Sequence, residues 1–144
     1  KDSLTRDSFL NHETIRQTLD RARRAELAIV GIGDINDNSN AVRMGWLSAQ
    51  EMTQLRDLGA IGDILGYFFD INGEPTKNDI QGRVVGLSEE NLRQTPTVIA
   101  IASEINKSLS ILGALRTGII NILATSANNA HAVLTLDSET QNVL

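Results

Sequence analysis

The sequence has no cysteine, two histidines, two prolines and only 3% aromatic residues among its 144 positions. Without cysteine there is no disulfide framework and no thiolate metal site, which fits a reducing cytoplasm. His12 and His131 stand far apart with no carboxylate at ligand spacing, so no metal is expected. The longest apolar runs, such as residues 97–102 and 118–124, fall far short of the roughly 20 residues a membrane-spanning helix needs. No basic segment followed by an apolar one opens the chain as a signal peptide would. A linker rich in proline or glycine, a fixed-period repeat and a low-complexity tract are all missing. So is the G-x-S-x-G elbow of a serine nucleophile. Gly31-Ile32-Gly33 begins like a dinucleotide fingerprint, but Asn36 replaces the third glycine and a polar loop follows, so no nucleotide cofactor is expected either.

What is present suits one globular domain. Hydrophobic residues make up 41% of the chain, enough for an ordinary core. The net charge of -5 argues against attraction to nucleic acid through the overall field. Because the chain starts at Lys1 without an initiator methionine, it is expected to be a piece of something longer. Residues 13–27 carry an amphipathic pattern, with Asn11 as N-cap and arginines that alternate with acids on a solvated face. Residues 27–34, LAIVGIGD, read as one buried parallel strand. Ser48 and Glu51 form a capping box, with Leu47 stapled to Met52, and start a helix that Gly59 ends. Residues 63–70 and 82–87 read as strands, and Ser88 caps a short helix that Pro96 stops. The last third alternates strand (97–102), helix (103–116, with Ile105, Leu109, Leu112 and Leu115 on one stripe), strand (INILAT) and helix (from Ala127), which implies parallel pairing with right-handed crossovers. The fold expected is an α/β sandwich with a mainly parallel sheet.

In such a sheet, ligands gather beyond the carboxyl ends of the strands. That rule selects Gly31, Gly33 and Asp34, then residues 70–73, residues 102–107, and Thr125-Ser126. Lys107, expected near the start of its helix, reads either as a solvated lysine or, with free backbone N–H groups beside it, as a phosphate contact. Asp63, Asp70 and Glu104 suit either acid/base work on an aldose-type substrate or hydrogen bonds to sugar hydroxyls.

The series GIGD, LSAQEMTQLRDLGAIGDILGYFFDINGE, RVVGLSEENLRQTPTVIAIAS and K(x)6ALRTGIINILATS resembles the effector-binding domain of SorC-type bacterial transcriptional regulators, from about Arg6 to Asp137. The resemblance implies a three-layer α/β/α sandwich like glucosamine-6-phosphate deaminase, ribose-5-phosphate isomerase and CoA transferases. It implies sensing of a sugar, polyol or sugar phosphate without turnover, with no catalytic residues, in a cytoplasmic homo-oligomer controlling a sugar-catabolism operon. Operator DNA would be met only through a helix-turn-helix domain lying upstream of this chain. Carried over by motif, Asp63 would bind effector hydroxyls, Lys107 an effector phosphate or polar head, and Arg43 a phosphate. Asp70 and Gly73 would form the rim, with Gly31, Gly33 and Glu104 nearby.

Three departures from the family pattern bear on the ligand. Ala102-Ser103-Glu104 stands where many members have A-G-G, placing a negative charge beside the anion site. Thr125-Ser126-Ala127 replaces T-D-E. The family's first strand-helix unit, with its glycine- and threonine-rich loop, is absent. Together these lean towards an unphosphorylated sugar or polyol, and the last implies an exposed sheet edge or apolar face prone to self-association. Two other readings stay open: a sugar-phosphate isomerase or deaminase on the same fold, and an oligomerisation domain without ligand.

Overall fold

The computed structural model describes residues 2–141. Two helices open the chain, α1 (Ser3–Leu10) and α2 (Glu13–Arg23). The first was not foreseen, since its large apolar residues Leu4 and Phe9 are mostly exposed and form no core stripe. His12, not Asn11, is the N-cap of α2; Asn11 closes α1 instead. The helix stops at Arg23, four residues short of the expected end, and its arginines pair with its own acids, Arg16 with Glu13 and Arg23 with Asp20.

The apolar run 27–34 is two strands. β1 (Leu27–Gly31) lies parallel to the later β5 (Thr97–Ala102), whereas β2 (Gly33–Asp34) pairs antiparallel with β3 (Gly62–Ile64). Ile32, 2% exposed, is the switch between the two sheets. After it come α3 (Asn40–Arg43) and α4 (Ala49–Asp57). The predicted capping box is intact in α4, with the Ser48 N–H donating to Glu51 and the Glu51 N–H to Ser48 Oγ. Leu47 and Met52 are both buried, in a small cluster with Leu55, Ala60 and Phe68.

Residues 63–70 form a hairpin rather than one strand. β3 and β4 (Tyr67–Phe69) are joined by Leu65 and Gly66, both with positive φ (53° and 80°), the signature of a type I′ turn. The expected strand at 82–87 is also absent; a 3-10 helix, Ile80–Arg83, precedes irregular chain. α5 (Glu89–Gln94) carries its Ser88 cap, completed by the Asn91 side chain.

β5 (Thr97–Ala102), α6 (Ser108–Arg116), β6 (Ile122–Thr125) and α7 (Ala127–Gln141) follow the expected alternation, and the parallel sheet runs β1-β5-β6. The α/β class with a mainly parallel sheet therefore stands. α6 starts at Ser108, not 103, because Asn106 adopts a left-handed φ of 68° that a helix cannot continue through. Its buried face consequently runs through Ser110–Ala114, while Ile105 is 88% exposed and Leu109 half exposed.

The main core lies on one face of the parallel sheet. Val30, Val98, Ala100 and Ala102 point there, against Ile64, Phe69, Ile111, Leu112 and Val133. Strand alternation sends Leu27, Ile29, Ile101 and Ile122 the other way, and among the described residues that face is open, Ile29 being 64% exposed.

Backbone packs tightly on backbone where α6 meets the turn after β4. A Cβ at Gly73 would lie 2.4 Å from backbone atoms of Arg116 and Thr117, and φ there is +81°. Gly59 has nearly the same φ, +82°, but open space around it. Gly59→Ala should cost about 1–2 kcal/mol, the left-handed penalty alone. Gly73→Ala should cost clearly more, and urea denaturation of the two variants separates strain from collision.

Candidate functional site

The site forms where the carboxyl ends of β1 and β5 meet the hairpin. At Ile32 the chain leaves the parallel sheet, and the carbonyl at that break accepts a hydrogen bond from Lys107 Nζ at 2.7 Å. Lys107 is only 9% exposed and is the N-cap residue of α6, delivered by the loop that follows β5. Its second partner is Glu104 Oε1, at 3.1 Å. The loop itself is anchored by the buried Asn129, whose Nδ2 donates to the Glu104 carbonyl at 2.9 Å, while Thr125 Oγ1 donates to the Ala102 carbonyl. The ends of β5 and β6 are thereby stitched together.

Asp63 enters from the hairpin. One of its oxygens accepts the Gly66 N–H at 2.9 Å, closing the turn. The other sits so close to Gly33 that a Cβ there would be 1.9 Å away, so the β2–β3 pairing requires glycine at 33. Burial pushes the Asp63 carboxyl up from its ordinary range; the Gly66 N–H and the Lys107 ammonium oppose this, and the charge of Asp34 adds to it. Glu104 moves the other way, held below the usual carboxylate range by its own backbone N–H and then by Lys107. Asp34 receives a hydrogen bond from the Asn36 side chain.

Asp63, Lys107, Glu104 and Gly33 are thus brought together, while Asp34, one residue on from Gly33, takes the opposite face of the β2–β3 pair. Asp70 lies apart from them. Asp70 Oδ1 accepts the N–H groups of Asn72 (2.8 Å) and Glu74 (3.0 Å), so it organises its own turn. That turn rests, through Gly73, on the C-terminal end of α6, roughly 14 Å along the helix from Lys107 at 1.5 Å per residue. Arg43 is exposed at the end of α3, beside the small cluster to which Ala41 and Val42 belong. Gly31 is exposed, with nothing near a would-be Cβ. Sequence reasoning missed two members: the Ile32 carbonyl, which has no side-chain signal, and Asn129, whose only mark is its place just after a strand.

Chemically, the cluster offers one ammonium beside two carboxyl groups, Asp63 and Glu104. Such a set accepts hydrogen bonds from hydroxyl groups and donates one or more in return. Two concavities of about 950 and 570 Å³ occur elsewhere, beside α4 and around Tyr67, and neither is lined by Asp63 or Lys107. The Tyr67 hydroxyl is buried, and burial and then the Glu89 charge push its pKa up to about 12.

Comparison with known proteins decides the family. A family model described as "Putative sugar-binding domain", Sugar-bind, matches residues 1–135. The chain belongs to the Sugar-bind family. The transcriptional regulator LsrR of Enterobacter sp. (strain 638) is 36% identical over 126 residues, 85% of this chain and 39% of that protein. The erythritol catabolism regulatory protein EryD of Brucella abortus (strain 2308) is 30% identical over 129 residues, 90% of this chain and 40% of that protein. Among solved structures, a domain described as the "Putative Sugar-Binding Domain" of a Vibrio fischeri transcriptional repressor superposes with a TM-score of 0.83 at 48% identity, over 94% of this chain and 54% of the other. The full-length sorbitol operon regulator SorC from Klebsiella pneumoniae gives 0.83 at 26% identity, over 93% and 44%. The Sugar-bind chain spans about half or less of each of these relatives. Among its described residues no helix is long and apolar enough to cross a membrane.

The raised Asp63 carboxyl makes a pH prediction. A carboxyl whose folded pKa exceeds its unfolded value holds more proton when folded, so its contribution favours folding at low pH and declines as pH rises from the unfolded value near 3.8 through the folded one. The opposite shift at Glu104 runs against this in the whole molecule. The stability difference between wild type and Asp63→Asn, which keeps an acceptor for the Gly66 N–H, should therefore move in favour of Asn as pH rises through that window. Denaturant melts at several pH values measure it.

Proposed function

We propose that this chain is part of the carbohydrate-sensing effector domain of a bacterial transcriptional regulator, binding a sugar, polyol or sugar phosphate at the Asp63–Lys107 cluster. The observation that carries the reading is the convergence of a buried lysine and a half-buried carboxyl beyond the carboxyl ends of the parallel strands, where α/β sheets place ligands. Membership of the Sugar-bind family and relatives named as transcriptional regulators support it. On this reading the chain is not an enzyme, works in the cytoplasm, and meets operator DNA through a separate DNA-binding part of the regulator. Arg43, Gly31 and the Asp70 turn would contribute only from the periphery.

A thermal-shift screen against pentoses, hexoses, C4–C6 alditols and their phosphates, with product assayed in the same wells, tests this. A ligand at 100 times its Kd should stabilise the chain by about 2.7 kcal/mol without product. Asp63→Asn should lose most of that shift. Product formation would replace the sensor reading with the isomerase or deaminase one.

The open sheet face supports a further part of the proposal, that the domain works in assembled form. Contiguous exposed apolar surface of this kind marks a contact surface. The isolated chain should self-associate in light scattering at micromolar concentration, and Ile29→Lys combined with Ile101→Lys should return it to the monomer mass. A monomeric wild-type chain would remove the claim.

A further inference from the structure

The arrangement around Lys107 bears on which ligands the site admits, given the effector-site reading above. An ammonium group has three donors. One is committed to the Ile32 carbonyl at 2.7 Å and a second to Glu104 Oε1 at 3.1 Å. The first partner is structural and buried. The second is a side chain of the same loop and is 59% exposed, so it lies on the solvent side of the lysine. Its backbone is pinned by Asn129, which holds the glutamate beside the cation.

Glu104 therefore stands where an incoming anion would have to bind. Asp63 acts on the same ammonium, so one positive charge has two acidic side chains beside it. A phosphate ester would have to expel Glu104 and then sit in a negative field. A polyhydroxylated molecule meets no such barrier, because its hydroxyls donate to the carboxylates and accept from the ammonium. We propose that Glu104 occupies the anion seat of Lys107 and is the specificity-determining residue that admits neutral polyhydroxyl compounds and bars phosphorylated ones.

The decisive comparison uses inorganic phosphate as probe, titrated calorimetrically into wild type, Glu104→Gln and Glu104→Ala. Gln keeps the shape and removes the charge; both substitutions fall at an exposed loop side chain, and circular dichroism melts check that each variant is folded. Phosphate should bind both variants at least about 10-fold more tightly than wild type, since one unit charge a few ångströms away is worth more than a decade in affinity at a protein surface. Glu104→Asp, which retains the charge, should stay close to wild type. Equal phosphate affinity in wild type and Glu104→Gln, or no gain in either neutral variant, overturns the proposal. The outcome is independent of the effector-site reading, which stands or falls on whether the wild-type chain binds any member of the carbohydrate panel.

Discussion

The contact between Lys107 Nζ and the Ile32 carbonyl is the joint on which the two sheets turn. A strand that leaves one sheet for another exposes a backbone carbonyl to a partly dry environment, and an unpaired buried carbonyl costs about 1–3 kcal/mol. Here a lysine from the loop after β5 fills that gap, 75 residues further along the chain. Once the joint is set, β2 can run antiparallel to β3, and that pairing presses Asp63 against Gly33. Burying the ammonium carries its own desolvation penalty, which Glu104 and the Asp63 charge offset. The site and the sheet switch are therefore one piece of structure.

α6 makes the joint rigid from the other side. It packs across the hairpin and the Asp70 turn at once: Ser110 Oγ donates to the Ile61 carbonyl at 2.7 Å, and Gly113 lets the helix close on the Asp70 carbonyl, which a Cβ would approach to 2.7 Å. At its far end Arg116 donates to the Ile71 carbonyl and bridges to Asp137 on α7. A helix fixed at both ends defines where its first residue lies. The position of Lys107 thus follows from packing along the whole of α6, and the loop from 103 to 106 has only to reach it.

Elements whose signals are local were legible in the sequence. The capping boxes at Ser48 and Ser88 contain their own partners three residues on, and β5 and β6 are apolar runs bounded by turns. Elements decided by a single dihedral or a distant partner were not. Leu65 in a left-handed turn turns one apparent strand into a hairpin, and Asn106 delays α6 by five residues. The break at Ile32 answers to Lys107, far away in sequence. Of the site, Asp63, Lys107 and Glu104 carry side-chain chemistry that motif comparison could mark, whereas the Ile32 carbonyl has none. Asp70 was grouped with them by motif, but it is occupied by its own turn; Arg43 ends α3, next to residues of the smaller cluster.

The division of exposure between Lys107 and Glu104 determines what each can report. Lys107, at 9% exposure, supports the strand switch as much as any ligand, so removing it leaves a carbonyl and two carboxylates without their cation and disturbs the core first. Glu104 is bonded to the same ammonium, yet 59% of its side chain meets solvent. Changing it alters the field at the mouth of the site while the Ile32 joint keeps its donor. The two ends of one ion pair therefore belong to different balances, one of folding and, on the proposed reading, one of recognition, and the exposed end is the one to vary.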